Sequence, residues 1–123
     1  TTSLANGAKA IAYGGTRFVE VEGNFSNTVA YSASGVAWTV TTLPSNDDST
    51  ESNWVDIAYG NGRFVAVSST SGTAAAYSLN GSTWTASTLP ATASWTHIAY
   101  GQGVFLAVST TTAAATVAAF SEL

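Results

Sequence analysis

The 123 residues include no cysteine and no methionine, and only Lys9, Arg17 and Arg63 carry a positive charge. Without cysteine there is no disulfide framework, thiolate zinc site, iron–sulfur cluster or cysteine nucleophile. Three cations against seven carboxylates, a net charge of −4, cannot form the basic patch that neutralises phosphates, so nucleic acid is excluded as a partner. No apolar run approaches the roughly 18–20 residues of a membrane-spanning helix, so membrane insertion is not expected. Charged residues make up 8 % of the chain, against roughly 25 % in an average soluble domain. Hydrophobic residues make up 46 %, which separates the chain from charge-rich disordered tails. The remainder is dominated by small residues: 22 Ala, 19 Thr and 16 Ser, a composition that suits a surface built from hydroxyls and methyls rather than from Lys and Glu. The chain opens on Thr1 without an initiator methionine, so a processed product or a piece of a longer protein is expected.

The strongest positive signal is self-similarity. Ile11-Ala12-Tyr13-Gly14-Gly15-Thr16-Arg17-Phe18-Val19-Glu20-Val21 returns as Ile57-Ala58-Tyr59-Gly60-Asn61-Gly62-Arg63-Phe64-Val65-Ala66-Val67. It returns again as Ile98-Ala99-Tyr100-Gly101-Gln102-Gly103-Val104-Phe105-Leu106-Ala107-Val108. Ala30-Tyr31-Ser32-Ala33-Ser34-Gly35-Val36-Ala37-Trp38-Thr39 likewise matches Ala76-Tyr77-Ser78-Leu79-Asn80-Gly81-Ser82-Thr83-Trp84-Thr85, and the third copy reaches Ala119-Phe120-Ser121. The offsets are 46 and 41, and every aromatic except Phe25 occupies a recurring position. Recurrence of that kind makes them core residues of a repeated unit. We therefore read 1–123 as one all-β domain of three repeats, near 8–53, 54–94 and 95–123.

Each unit reads as four short strands. In the second they fall near 56–59, 64–68, 74–78 and 83–87. Gly60-Asn61-Gly62 and Asn80-Gly81 mark tight turns, because Gly and Asn tolerate positive φ. Leu43-Pro44 and Thr88-Leu89-Pro90 lead out of units one and two, since proline lacks the N–H a ladder needs. Phe64-Val65-Ala66-Val67 is apolar on both faces, as a strand packed between two neighbouring sheets would be. Ala74–Ala76 and Ala113–Ala115 are read as strands whose small side chains let sheets approach closely. A four-stranded unit of about 40–45 residues, repeated radially, is a β-propeller blade.

Tyr77-Ser78-Leu79-Asn80-Gly81-Ser82-Thr83-Trp84 resembles the Asp-box turn of sialidase-like propellers, with Asn80 where aspartate is usual and the turn one residue shorter. The fuller pattern resembles repeats of secreted bacterial propellers and of phage tail and virion proteins. The resemblance implies β-propeller-type blades, about two and three-quarters of them, and in that family this turn is a folding device. A propeller needs about four blades to close. Completion is therefore expected from a homo-oligomer, a trimer or dimer, or from further chain. Thr1–Ala5 is a candidate for the missing fourth strand of the last unit.

Candidate chemistry is sparse. Trp54 and Trp95, at strand starts, could offer an aromatic face to a sugar ring, with Asn53, Asp56, Thr96 and His97 supplying hydrogen bonds. The preferred reading places both tryptophans in core or interface packing, as their recurrence suggests. His97 is the sole histidine, and no Gly-x-Ser-x-Gly elbow accompanies it. Glu20 and Glu22 share a strand face; a solvated edge or subunit contact is preferred there over calcium or glycosidase chemistry. Asp47 and Asp48 sit in an acidic insertion, 45–53, read as a solvated loop without the spacing of an EF-hand. No metal or other cofactor is expected. Together these features point to a non-enzymatic structural protein of a virion or extracellular surface, of tail-fibre, receptor-binding or decoration type, adhering to host polysaccharide. A secreted propeller lectin and an extracellular filament subunit are the alternatives.

Overall fold

A computed structural model describes residues 7–23, 27–44, 53–69, 72–93, 95–109 and 116–120. Eleven strands form three separate antiparallel sheets, none of which closes on itself. The first sheet is β1 (Ala10–Gly14), β2 (Arg17–Val21), β3 (Thr28–Ser32) and β4 (Thr39–Thr42), neighbours in chain order. The second repeats that order with β5 (Trp54–Gly60), β6 (Arg63–Ser68), β7 (Gly72–Ser78) and β8 (Thr85–Ala93). The third contains β9 (Trp95–Gly101), β10 (Val104–Ser109) and β11 (Thr116–Phe120). Among the described residues there is no helix long and apolar enough to cross a membrane.

Local chemistry explains the hairpins. The first two strands of each sheet are joined by two residues that both have positive φ: Gly15-Thr16, Asn61-Gly62 and Gln102-Gly103. Positive φ at both positions gives a connection whose twist matches that of the flanking strands, so the registers Tyr13↔Phe18, Tyr59↔Phe64 and Phe105↔Tyr100 are the same in all three sheets. The rings of each pair lie 4.7–4.8 Å apart in tilted or edge-on contact.

The two-faced apolar pattern of β6 is resolved by layering. Phe64 and Ala66 belong to one core, with Val19, Val21, Val29 and Ile57. Val65 and Val67 belong to another, with Ile98, Phe105 and Ala107. The second sheet is thus sandwiched between the other two, and five of the six residues of β6 are buried. Each fully buried Val or Phe of this kind contributes about 1.5–3 kcal/mol relative to exposure.

Two expectations are corrected. Proline 90 does not end its strand, because β8 runs on to Ala93. Gly72 pairs with Ala93 while Ala74 pairs with Thr88, so Pro90 falls in an irregular stretch of an edge strand, where a missing N–H removes no ladder bond. Phe120 pairs with Phe105, the register place held by Ser32 and Ser78 opposite Phe18 and Phe64. Its backbone therefore stands one register place away from the Tyr31 and Tyr77 position. The strand over Ala74–Ala76 is present, whereas Ala113–Ala115, the acidic insertion up to Ser52, Phe25 and Thr1–Ala5 lie outside the described residues.

Candidate functional site

The first strands of the three sheets lie side by side, β1 beside β5 and β5 beside β9. A tyrosine near the end of each later strand fixes this arrangement. The Tyr59 ring lies flat on Gly14 and the Tyr100 ring on Gly60, so close that a Cβ on either glycine would overlap ring carbons. Only glycine leaves room for that seat.

At the opposite end of the same strands a cleft of about 380 Å³ opens, lined by Lys9, Ala10, Val55, Asp56, Thr96 and His97. These are two repeat positions read three times. Lys9, Val55 and Thr96 are equivalent, as are Ala10, Asp56 and His97. Three of the residues expected from the sequence, Asp56, Thr96 and His97, therefore share one cleft. Lys9, Ala10 and Val55 complete it and were legible in principle, since the offsets of 46 and 41 lead to them directly.

Asp56 holds the cleft together. Its Oδ1 accepts from its neighbour Ile57 N at 2.9 Å, and its Oδ2 accepts from Ile98 N of the third sheet at 2.8 Å. One carboxylate thus binds two adjacent strand starts with charge-assisted hydrogen bonds. Replacing Asp56 with Ala leaves both N–H groups without that acceptor, at an expected cost of about 2–3 kcal/mol. Chemical denaturation of Asp56→Ala checks this, and a loss below about 0.5 kcal/mol would show that the clamp contributes nothing net. Thr96 Oγ1 donates to Val108 O at 3.2 Å, which commits the hydroxyl proton. His97 Nδ1 lies 3.2 Å from the same oxygen. A neutral imidazole carries one donor and one acceptor nitrogen, and the two roles follow the tautomer. The arrangement offers hydrogen-bond donors and acceptors to the cleft.

No protein-family model and no curated protein matches this chain.

The tryptophans stand elsewhere. Trp54 and Trp95 are both 0 % exposed and belong to the two inter-sheet cores. Trp54 Nε1 donates to Asn27 Oδ1 at 2.9 Å, tying the second sheet to the segment before β3. Neither indole has a free face for a sugar ring. Strand-start position suggested a rim, and stacking of the sheets turned that rim into core. Asn53 is likewise occupied, its Nδ2 donating to Ser69 Oγ at 2.9 Å. Glu20 and Glu22 are 4 % and 5 % exposed, so a solvated edge does not describe them, and both have interaction partners. Among the described residues no three His, Asp or Glu side chains gather as metal ligands, and Asp47 and Asp48 lie outside them.

The turns between third and fourth strands are built alike in both complete sheets. Ser78 Oγ accepts from Asn80 N at 3.2 Å and Gly81 N at 2.7 Å. Asn80 Oδ1 accepts from Ser82 N at 2.8 Å and Thr83 N at 2.9 Å, and Trp84 Nε1 donates to Gly81 O at 3.0 Å. In the first sheet Ser32 takes the role of Ser78, and the Ser34 hydroxyl replaces the Asn80 amide, accepting from Val36 N and Ala37 N. Trp38 Nε1 again donates to the glycine carbonyl, here Gly35 O. The side-chain oxygens of Ser32, Ser34, Ser78 and Asn80 accept from N–H groups of their own turns, as in a folding device. One of them also serves packing between sheets: Arg17 Nη1 donates to Asn80 O at 2.6 Å while its guanidinium lies 4.5 Å over the Tyr31 ring.

Proposed function

We propose that the chain is a non-enzymatic adhesive scaffold: consecutive β-propeller-type blades, displayed on a virion or other extracellular surface, that hold host polysaccharide in the cleft at the strand starts. The observation that carries this reading is the convergence of two equivalent positions from all three repeats on one polar cleft. A polysaccharide needs both donors and acceptors along its hydroxyls. Lys9 supplies a donor, the His97 ring a further polar nitrogen, and the Asp56 oxygens keep lone pairs beyond those used by the backbone. The cleft volume falls within the roughly 300–1,000 Å³ typical of ligand sites, at its small end. Weak affinity per site is enough where many copies act together on one surface. The blade assignment is supported by the ordered four-stranded sheets, their face-to-face layering and the side-by-side first strands. The virion setting draws support from the resemblance of the repeats and from the hydroxyl-rich, charge-poor composition.

A glycan array followed by calorimetry tests the adhesive part. The wild-type chain is expected to retain a subset of polysaccharides, and Lys9→Ala and His97→Ala are each expected to weaken binding about tenfold, the equivalent of about 1.4 kcal/mol. Wild-type protein that retains no glycan, or a Lys9→Ala/His97→Ala double variant that binds as well as wild type, would overturn it. Affinity sets the choice with the second reading, a secreted lectin: micromolar binding by the isolated protein favours the lectin, and millimolar binding favours a multivalent surface component. Concentration-dependent fibres would favour a filament subunit instead.

A further inference from the structure

The contact between neighbouring sheets is made twice inside the chain, and its two unmatched halves remain at the chain's two ends. On the donating side stand Ile57, Tyr59 and Phe64, then Ile98, Tyr100 and Phe105; on the receiving side stand Ala12, Gly14 and Val19, then Ala58, Gly60 and Val65. The first sheet presents a third donating set on its outer face. Ile11 is 55 % exposed where its counterparts Ile57 and Ile98 are buried, and Tyr13 is 58 % exposed where Tyr59 and Tyr100 are half-buried. The third sheet presents a third receiving set. Ala99 and Gly101 are exposed, Leu106 is 44 % exposed, and among the described residues nothing lies within 4 Å of the place where a Gly101 Cβ would be. At Gly14 and Gly60 that place is filled by a tyrosine ring.

Resting on the blade reading above, we propose that a second copy of this chain fills it: Tyr13 of each copy lies on Gly101 of the other, closing two copies into one ring of six sheets. The register is dictated by the internal contacts, with Ile11 and Tyr13 descending on Ala99, Gly101 and Leu106. Because the two faces differ, the contact is head-to-tail, and such contacts either close into rings or grow without limit. Two copies give six sheets, inside the about four to eight blades over which propellers close, whereas three copies would exceed it. The junction lacks one contact that the first internal junction has. Val104 stands where Arg17 reaches across to Asn80 O, so no guanidinium spans it. A reversible dimer follows.

Sedimentation equilibrium of the full 123-residue chain, from about 1 to 100 µM, is expected to show the 12.5 kDa mass doubling with concentration. Gly101→Val and Tyr13→Ala are each expected to weaken association at least tenfold. Gly101→Val adds its methyls to open space at a φ without strain, so the single chain should keep its circular dichroism and melting temperature. Mixing the two variants is expected to restore part of the dimer, because the Tyr13 of one meets the Gly101 of the other in an intact junction. A contact pairing identical patches would not be rescued in this way. Wild-type protein that stays single, a mass other than two copies, wild-type association by either variant, or no rescue on mixing overturns the proposal. The adhesive reading fails separately, since the cleft lies within one chain: single-chain variants that still bind glycan leave it standing.

Discussion

Gly60→Ala is expected to destabilise the chain by about 3 kcal/mol or more, a large effect for one added methyl group. The backbone is not the cause, because Gly60, unlike Gly62 and Gly81, has no positive φ. The cause is the Tyr100 ring lying on the glycine, where a Cβ would overlap its carbons. Either the ring swings away and gives up its packing on Phe105, 4.8 Å away, or the second and third sheets move apart. Close-packed interiors accommodate such overlap poorly. A double-mutant cycle with Tyr100→Ala gives the sharper measurement. Once the ring is gone the methyl has space, so urea midpoints should show a coupling of about 1–3 kcal/mol between the positions. Strict additivity of the two losses would mean that the tyrosine does not rest on the glycine. Gly14→Ala with Tyr59→Ala should behave in the same way at the other internal junction.

Trp54→Ala is expected to cost about 3–5 kcal/mol, enough to leave a domain of ordinary stability largely unfolded at 37 °C. The indole is 0 % exposed and packs among Val19, Val21, Val29 and Ile57. Its removal opens a cavity in the core between the first two sheets and takes the donor from Asn27 Oδ1. Trp54→Phe keeps much of the apolar volume and loses the hydrogen bond, so about 1–2 kcal/mol is expected from that variant. Thermal melts followed in the far ultraviolet check both. A Trp54→Ala protein melting within a few degrees of wild type would contradict the buried position and return the residue to the list of ligand contacts.

Both effects depend on contacts between sheets, and there the sequence was least legible. The hairpins could be read residue by residue because Gly15-Thr16, Asn61-Gly62 and Gln102-Gly103 act locally through backbone φ. The Ser78–Trp84 turn could be read because its partners lie within three residues of one another. Repetition supplied the rest, since three copies of one pattern imply three copies of one sheet. Trp54 and Trp95 were harder. Their recurrence favoured the core, but polar neighbours and a strand-start position also suited a sugar-binding rim, and the sheet stacked on them decides. The glutamates misled for a related reason, because a carboxylate two residues from another reads as solvated until the fold covers both. Asp56, Thr96 and His97 were noticed as hydrogen-bonding residues, but the cleft that unites them with Lys9 and Val55 belongs to three different strands.

By itself the sequence determined the strands, their tight turns and the count of repeats, because these follow from φ preferences, short-range hydrogen bonds and a pattern of apolar and turn residues that recurs in each repeat. Tertiary structure alone decided which face of each strand became core, that tyrosines seat on glycines of the preceding sheet, that proline 90 stays within an edge strand, and that two repeat positions meet in one cleft. Those outcomes depend on atoms forty or more residues apart reaching van der Waals distance, and no local stretch of sequence encodes that distance.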